Sequence, residues 1–280
     1  MANKNSFVRI LLSNPAALTG LAIFALVGCV AILAPVLFPG DPLAMVGQPL
    51  LWPGQDPEYI LGTDALGRDI LAGIAHGSRA SVLVGITAAG IGLLLGTVIG
   101  ATAGYFGGWI DDLLVRATEV LQTFPPFILV IVLVAIGQPS ITTVTLAIGF
   151  VSWPSIARLI RAEFRSLRQR DFVLAAQSVG YGHFRIAVGE ILPNAAAPLI
   201  VISSIMVAQA ILNESSLSFL GMGDPNIVTW GTMLGSGREY LRTAWYLTVV
   251  PGVAISLTVM ALNIIGDGLN DALNPRLRVR

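Results

Sequence analysis

The chain has 280 residues, of which 55% are hydrophobic and only 11% are charged. Soluble domains carry about 25% charged residues, so this composition excludes an ordinary water-soluble globule and favours a membrane protein. Sixteen basic residues balance sixteen acidic ones, and net charge therefore indicates no nucleic-acid partner. Lys4 is the only lysine, which excludes a nucleotide-binding loop of the form GxxxxGK followed by Ser or Thr. With one cysteine and two histidines, we expect no soft-metal site.

Long uncharged stretches recur along the chain. A bilayer core about 30 Å thick needs roughly 20 apolar residues in a helix, because unpaired backbone groups cannot remain in hydrocarbon. The stretches without Asp, Glu, Lys, Arg or His cover residues 16–38, 80–104, 120–137, 141–157, 195–212 and 245–266. The sequence therefore predicts an all-α membrane protein with six transmembrane helices. Gln138, Pro139 and Ser140 are expected to join the third and fourth helices as a tight hairpin.

The distribution of basic residues predicts the orientation of these spans. Twelve of the sixteen Lys and Arg residues lie on the side that an even number of spans assigns to both termini. The positive-inside rule makes that side the cytoplasm. The predicted segments are a cytoplasmic N-terminus (1–15), a first transmembrane helix (16–38), an extracytoplasmic segment (39–79), a transmembrane core (80–266) with a cytoplasmic loop (158–194) and an outer loop (213–244), and a cytoplasmic C-terminus (267–280).

The second predicted span carries glycines at a four-residue spacing. Gly92, Gly96, Gly100 and Gly104 place hydrogen atoms instead of side chains along one helix face. Another backbone can approach closely there. We interpret this face as a packing seam, either within the chain or against a partner.

The cytoplasmic loop has a helix-turn-helix pattern. Asp171 is a candidate N-cap for a short helix, and Gly180 and Gly182 end that helix and allow a turn. A second helix follows and ends near Pro193, which has no amide hydrogen. Two interpretations remain open from the residues alone: a docking surface for a protein groove, or an amphipathic helix pair on anionic lipid headgroups.

A resemblance to a known family distinguishes these interpretations. The residues AAQSVG at 175–180 and EILP at 190–193, nine residues apart, resemble the EAA coupling loop of ATP-binding-cassette importer permeases. Leu174 and Glu190 depart from that pattern, since the family often has Glu and Ile at these positions. The resemblance implies that this loop contacts an ATPase subunit. The residues assigned to that contact are Phe172, Ala175, Ala176, Gly180, Gly182, Leu192 and Pro193.

Three further segments are similar to the dipeptide, oligopeptide and nickel permease family, and in particular to its second, C-type subunit. They are residues 61–83, which begin LGTDALGRDILAGI, then ESSLSFLGMG with TWGTML at 214–234, and GDGLNDALNPRLR at 266–278. The resemblance implies a type I importer permease fold and a catalytically silent subunit of the bacterial inner membrane. It implies these partners: a homologous permease that completes the pore, two cytoplasmic ATPases that use ATP and Mg, and an extracytoplasmic substrate-binding protein, besides membrane lipid.

The first of these segments predicts an amphipathic helix at the outer surface. Thr63 or Asp64 is a candidate N-cap, and Leu66, Ile70 and Ile74 recur every four residues on one face. Such a helix would lie before the second span.

Charged residues in the outer segments are the candidates for an outer gate or a contact with the binding protein. They are Asp64, Arg68, Asp69 and Glu214. Arg68 and Asp69 can equally be a solvated ion pair. Glu214 follows the fifth predicted span, where it would either cap the helix end in water or face the pore mouth and receive a peptide amino terminus.

Two other functional classes remain as alternatives. An ion-coupled secondary transporter has the same apolar spans, but it usually buries ionisable groups in the membrane, and the six predicted spans have none. A non-transporting scaffold would use the helix-turn-helix for binding only. Among importers, short peptides are the favoured substrates, and nickel, opines and glutathione are the alternatives.

Overall fold

The computed structural model describes residues 13–273. Lys4, Arg9 and the arginines at 276, 278 and 280, on which the predicted orientation partly rests, lie outside the described residues. The long apolar helices are α1 (Pro15–Leu37), α2 (Ile70–Phe106), α5 (Ile141–Arg168), α9 (Ala196–Phe219) and α11 (Tyr246–Leu273). The shorter ones are α3 (Gly108–Gln122), α4 (Pro126–Gly137), α6 (Asp171–Ser178), α7 (His183–Arg185), α8 (Leu192–Asn194) and α10 (Trp230–Gly237).

The described residues contain five helices that are long and apolar enough to cross a membrane. The pair α3 and α4 passes the same test together, but it is bent by 81°, and it supplies the sixth span when counted as one. The all-helical, multi-span class predicted from the sequence is therefore confirmed.

The predicted start of the third span, at residue 120, is wrong. Residues 120–122 belong to α3, which ends at Gln122, and the apolar helix α4 begins at Pro126. Pro125 and Pro126 both lack an amide hydrogen and resist continuation of a preceding helix, which explains the sharp bend. The hairpin after α4 is as predicted: Gln138 has a φ of 65°, and Ser140 caps α5 by accepting a hydrogen bond from the Thr143 amide.

Several spans extend beyond their uncharged stretches. α5 continues eleven residues past 157 to Arg168, so the first third of the predicted cytoplasmic loop is span helix. α9 continues to Phe219, and the outer loop begins after that residue rather than at 213. α11 reaches Leu273. Hydrophobic length sets the minimum extent of a span, but helices continue into water until capping chemistry ends them.

The predicted outer amphipathic helix is not formed as a separate element. The Asp64 carboxylate accepts hydrogen bonds from the Leu66 and Arg68 amides, at 2.8 and 2.9 Å, and Gly67 has a φ of 79°. These contacts close a turn that ends before the helix. Asp69, not Thr63 or Asp64, is the N-cap, and it accepts from the Leu71 amide at 2.8 Å. α2 then runs without a break from the outer turn through the membrane.

The centre of the bundle is the contact between α2 and α5. All four spaced glycines of α2 face α5, so the packing interpretation is confirmed as a seam within this chain. A Cβ built on Gly96 would lie 2.5 Å from Ile156 Cβ, and one on Gly104 would lie 2.6 Å from the Arg161 carbonyl oxygen. The two backbones are therefore as close as helices can pack, which requires the absence of side chains on α2.

Candidate functional site

The helix-turn-helix lies at the end of α5 and consists of α6, α7, a π-helical segment (Ile186–Ile191) and α8. We call residues 171–194 the coupling hairpin. Its first helix starts at Asp171, whereas the N-cap position is Arg170, which has no capping side-chain bond. The prediction that Asp171 is the N-cap is thus off by one residue. Asp171 still lies in the first turn, where a carboxylate stabilises the positive end of the helix dipole.

The turn of the coupling hairpin is formed at Gly180. The Gly180 amide donates to the Gln177 carbonyl at 2.9 Å, and the Tyr181 amide donates to the Ala176 carbonyl at 3.1 Å. These two bonds form a Schellman motif, whose residue after the helix adopts a left-handed conformation. Gly180 has a φ of 85°, so the sequence-based assignment of the turn is confirmed.

One face of α6 is buried against the bundle. Val173 is fully buried and Ala176 is 9% exposed, and both belong to a core cluster with Ile160 and Phe164 of α5. The hydroxyl of Tyr105, near the end of α2, lies 3.0 Å from His183 Nδ1 in the coupling hairpin. The hairpin is therefore held by both α5 and α2.

The coupling hairpin also has large apolar side chains that are exposed. They include Phe172 (38% exposed), Leu174 (49%), Val179 (75%) and Phe184 (81%). An exposed apolar patch on a rigid support is the property of an interaction surface. The hairpin can thus bind a partner without folding around it.

The structure brings the predicted contact residues together in the hairpin but divides them by exposure. The exposed residues are Phe172, Ala175, Gly180, Gly182 and Pro193, whereas Ala176 is buried and Leu192 is half-buried. Ala176 and Leu192 therefore support the exposed side chains from beneath. Leu174, where the family often has Glu, is one of the exposed side chains and adds to their apolar character.

The π-helical segment was not predicted. The sequence indicates a regular second helix, but residues 186–191 are one residue wider per turn than an α-helix. Pro193 lies two residues after this segment, and its nitrogen has no hydrogen to donate to the Gly189 carbonyl as an α-helix would require. Proline near a helix end was the available signal for this irregularity.

An ion pair joins the hairpin's support to α3. Arg161 of α5 donates to both carboxylate oxygens of Asp111, at 2.5 and 2.7 Å, and Arg165 Nη1 lies 3.8 Å from the same group. Asp111 is only 7% exposed, so a bidentate partner is needed to offset its loss of hydration. Sequence analysis missed this pair because its members are fifty residues apart.

The predicted outer residues fall into two separate places. Asp64, Arg68 and Asp69 line a cleft of about 220 Å³ together with Asp224 of the loop after α9. Arg68 Nε is buried there without a hydrogen-bond partner. Arg68 and Asp69 form no ion pair in the described part of the chain, so the interpretation as a simple solvated pair is not supported.

Glu214 lies within α9, five residues before the end of that helix. It is 2% exposed, and its carboxylate accepts hydrogen bonds from Ser218 at 2.8 Å and Thr229 at 2.7 Å. The interpretation of Glu214 as a water-exposed helix cap is therefore wrong. Thr229 is the N-cap of α10, and the next residue, Trp230, donates its amide to Ser81 of α2 at 3.1 Å. These bonds connect α9, α10 and α2.

Comparisons with known proteins agree on the family. Residues 96–279 match the family described as binding-protein-dependent transport system inner membrane component, and residues 5–60 match the N-terminal transmembrane domain of oligopeptide transport permease C. The chain is 40% identical over 271 residues to the dipeptide transport system permease protein DppC of Haemophilus influenzae, covering 95% of this chain and 92% of that protein.

Two further similarities extend this result. The chain is 36% identical to the glutathione transport system permease protein GsiD of Pectobacterium atrosepticum, over 96% of this chain and 90% of that protein. The fold resembles a chain of the inward-facing MetNI methionine ABC transporter, with a TM-score of 0.58, 14% identity, and coverage of 72% of this chain and 96% of that one. The chain is therefore a multi-pass inner-membrane permease that belongs to the binding-protein-dependent transport family, in its oligopeptide permease C branch.

Proposed function

We propose that this chain is the membrane-spanning subunit of an ATP-driven importer of di- or oligopeptides. A homologous permease completes the pore, two separate ATPases bind the coupling hairpins, and an extracytoplasmic binding protein delivers the substrate. The observation that carries the proposal is the set of exposed apolar side chains of the coupling hairpin, held on a buried support of α5 and α2. In this proposal ATP and Mg are used by the partner subunits, which is consistent with the lack of a GxxxxGK sequence followed by Ser or Thr in this chain.

The proposed mechanism uses the coupling hairpin to transmit motion. Closure of the ATPases displaces α6, and Val173 and Ala176 pass the force to α5 through their shared core cluster. The Tyr105 to His183 contact passes it to α2. Because α2 and α5 are in backbone contact along the glycine seam, they move as one unit between inward and outward openings.

The outer cleft is the proposed contact for the binding protein. Arg68 presents a guanidinium without a partner among the described residues, beside the carboxylates of Asp64 and Asp69. Mixed charges in a small cleft favour a defined docking geometry over general attraction. Glu214 is assigned a supporting role in the outer gate. Its carboxylate accepts a hydrogen bond from Thr229, the N-cap of α10, and so fixes the start of that helix near the cleft.

The length of α9 bears on the alternative of an ion-coupled secondary transporter, which usually has ionisable groups inside its spans. The extension places Glu214, a buried carboxylate, inside a span helix. The hydroxyl groups of Ser218 and Thr229 donate hydrogen bonds to this carboxylate near the end of α9. This arrangement suits a structural role better than an ion site in the middle of the membrane.

Reconstitution separates the functional classes. The chain should be purified with the other subunits from its own operon, placed in liposomes, and supplied with the binding protein and a labelled dipeptide. We expect uptake to require ATP on the side of the liposome membrane that carries the ATPases. Collapse of the ion gradients should leave this uptake unchanged. Gradient-driven uptake without ATP would establish a secondary transporter, and no uptake under any condition would favour a scaffold. Glutathione in place of the dipeptide tests the alternative substrate.

The proposed orientation has both termini and the coupling hairpin in the cytoplasm. After Cys29→Ala, single cysteines at Gln55 and Gln169 provide the test, since both side chains are exposed. A membrane-impermeant maleimide applied to cells with a permeabilised outer membrane should label Gln55→Cys and spare Gln169→Cys until the inner membrane is opened. Labelling of both positions in intact inner membranes would contradict the orientation.

A further inference from the structure

A cavity of about 520 Å³ lies between the coupling hairpin and the junction of α2 with α3. Arg165 and Arg168 from the last turn of α5 line it, together with Leu174 and Gln177 of α6 and the glycines Gly107 and Gly108. The carboxylate-bearing residue Asp111 of α3 also lines the cavity. Its volume suits a headgroup or a small anion better than a protein segment.

The two arginines keep most of their hydrogen-bonding capacity free. Arg165 is 61% exposed at its side chain, and its nearest carboxylate is Asp111, 3.8 Å away. Both oxygens of Asp111 accept hydrogen bonds from Arg161, so Arg165 has only the longer ion-pair contact with this carboxylate, and its own donors are not hydrogen-bonded to it. Arg168 donates from Nη1 to the Phe106 carbonyl at 3.4 Å, a weak bond. A guanidinium has five donors, and phosphate oxygens match them well.

The two glycines that line the cavity leave it open near these charges. Gly107 and Gly108 have φ values of 69° and 56°, which side-chain-bearing residues rarely adopt. A Cβ on Gly108 would meet no atom within 4 Å. Gly107 is also the N-cap of α3, and no side chain caps that helix. Its first amides therefore add to the positive potential of the cavity.

Exposed apolar and aromatic side chains lie near the junction of α2 and α3, two glycines of which line the cavity. Phe106 is 49% exposed, Trp109 is 74% exposed and Leu113 is 58% exposed, all around the same junction. Exposed aromatic residues next to arginines at the end of a span are typical of the lipid headgroup region. A bound phosphate at this level can therefore belong to a molecule whose acyl chains run along these side chains.

We propose that this cavity binds the phosphate of an anionic phospholipid from the adjacent leaflet, through Arg165 and Arg168. The lipid would then bridge the α2 to α3 junction and the coupling hairpin, because the cavity is walled by both. Lipid binding by this site does not depend on the transport activity proposed above, so the two can fail separately.

The test measures lipid retained by the purified full-length chain in detergent, by native mass spectrometry, with phosphatidylglycerol compared to phosphatidylcholine. Each arginine at the membrane surface is expected to raise the affinity for an anionic lipid about fivefold. The double variant Arg165→Gln/Arg168→Gln should therefore lower the apparent affinity for phosphatidylglycerol about 30-fold. The matched control, Arg158→Gln/Arg170→Gln, also removes two exposed charges of the same region but none from the cavity. It should retain lipid within about twofold of the unaltered chain.

Each contrary outcome overturns the proposal. Equal losses in both double variants would indicate diffuse surface attraction, and unchanged retention in Arg165→Gln/Arg168→Gln would exclude the site. Competition by inorganic phosphate at the same concentration as the lipid would indicate a site for soluble anions. If the double variant does not fold, arginine modification of the unaltered chain gives the answer: phosphatidylglycerol should protect Arg165 and Arg168 from a dicarbonyl reagent more than Arg170, and equal protection would contradict the proposal.

Discussion

Replacing Gly180 by valine should lower ATP-driven uptake by the reconstituted transporter at least tenfold while the protein still inserts and assembles. Gly180 has a φ of 85°, and a β-branched residue is strongly disfavoured in that left-handed region. The valine would push the backbone to negative φ and break the Schellman bonds of Gly180 and Tyr181. The exposed side chains of α6 would then point away from the proposed ATPase partner. Substrate-stimulated ATP hydrolysis and uptake are the two measurements.

Gly189→Val is the control for this experiment. Gly189 is exposed in the same hairpin, it is not one of the residues assigned to the ATPase contact, and no atom lies within 4 Å of its added Cβ. Its φ lies outside the left-handed region, so valine is tolerated there. Normal uptake with Gly189→Val and strong loss with Gly180→Val would attribute the effect to the backbone conformation of Gly180. Equal activity of both variants would mean that the Gly180 turn does not orient the coupling surface.

The second large effect is expected from Gly100→Val in α2. A Cβ at this position would overlap the Ala157 backbone of α5. A clash with backbone cannot be relieved by a rotamer change, and overpacking of this kind costs about 3 kcal/mol or more. The variant should give little folded protein, or a melting temperature in detergent many degrees below that of the unaltered chain.

Gly90→Val provides the comparison on the same helix. A Cβ on Gly90 meets no atom within 4 Å, and both variants carry the same change in helix propensity. We expect its melting temperature to lie within a few degrees of the unaltered chain. Similar losses at both positions would show that valine in α2 is harmful in itself, and the seam would not be the cause.

Features governed by local sequence could be predicted, and the coupling hairpin is the clearest case. Its turn depends on Gly180 and its own neighbours, so the pattern of apolar residues and glycines was sufficient. The spaced glycines of α2 also indicated a close contact, although only the structure identifies α5 as the partner. Hydrophobic length located the spans because the bilayer imposes a minimum on every one of them.

Features that depend on competing local signals or distant partners could not be predicted. The sequence predicted Thr63 or Asp64 as the N-cap, whereas Asp69 has that role because the Asp64 side chain closes a turn before α2 begins. Glu214 looked like an exposed helix end because its partner Thr229 is fifteen residues away. Asp111 and its ion pair were hidden for the same reason.

The uninterrupted course of α2 sets the geometry of communication across the membrane. At a rise of 1.5 Å per residue, its 37 residues span roughly 55 Å, nearly twice the thickness of the hydrocarbon core. Asp69 caps one end at the outer cleft, and Tyr105 contacts the coupling hairpin at the other. A tilt of about 5° around its middle would displace each end by roughly 2.5 Å in opposite directions. A ligand that shifts one end of α2 is therefore expected to shift the other, and the coupling free energy between the cleft and the hairpin is the same in both directions.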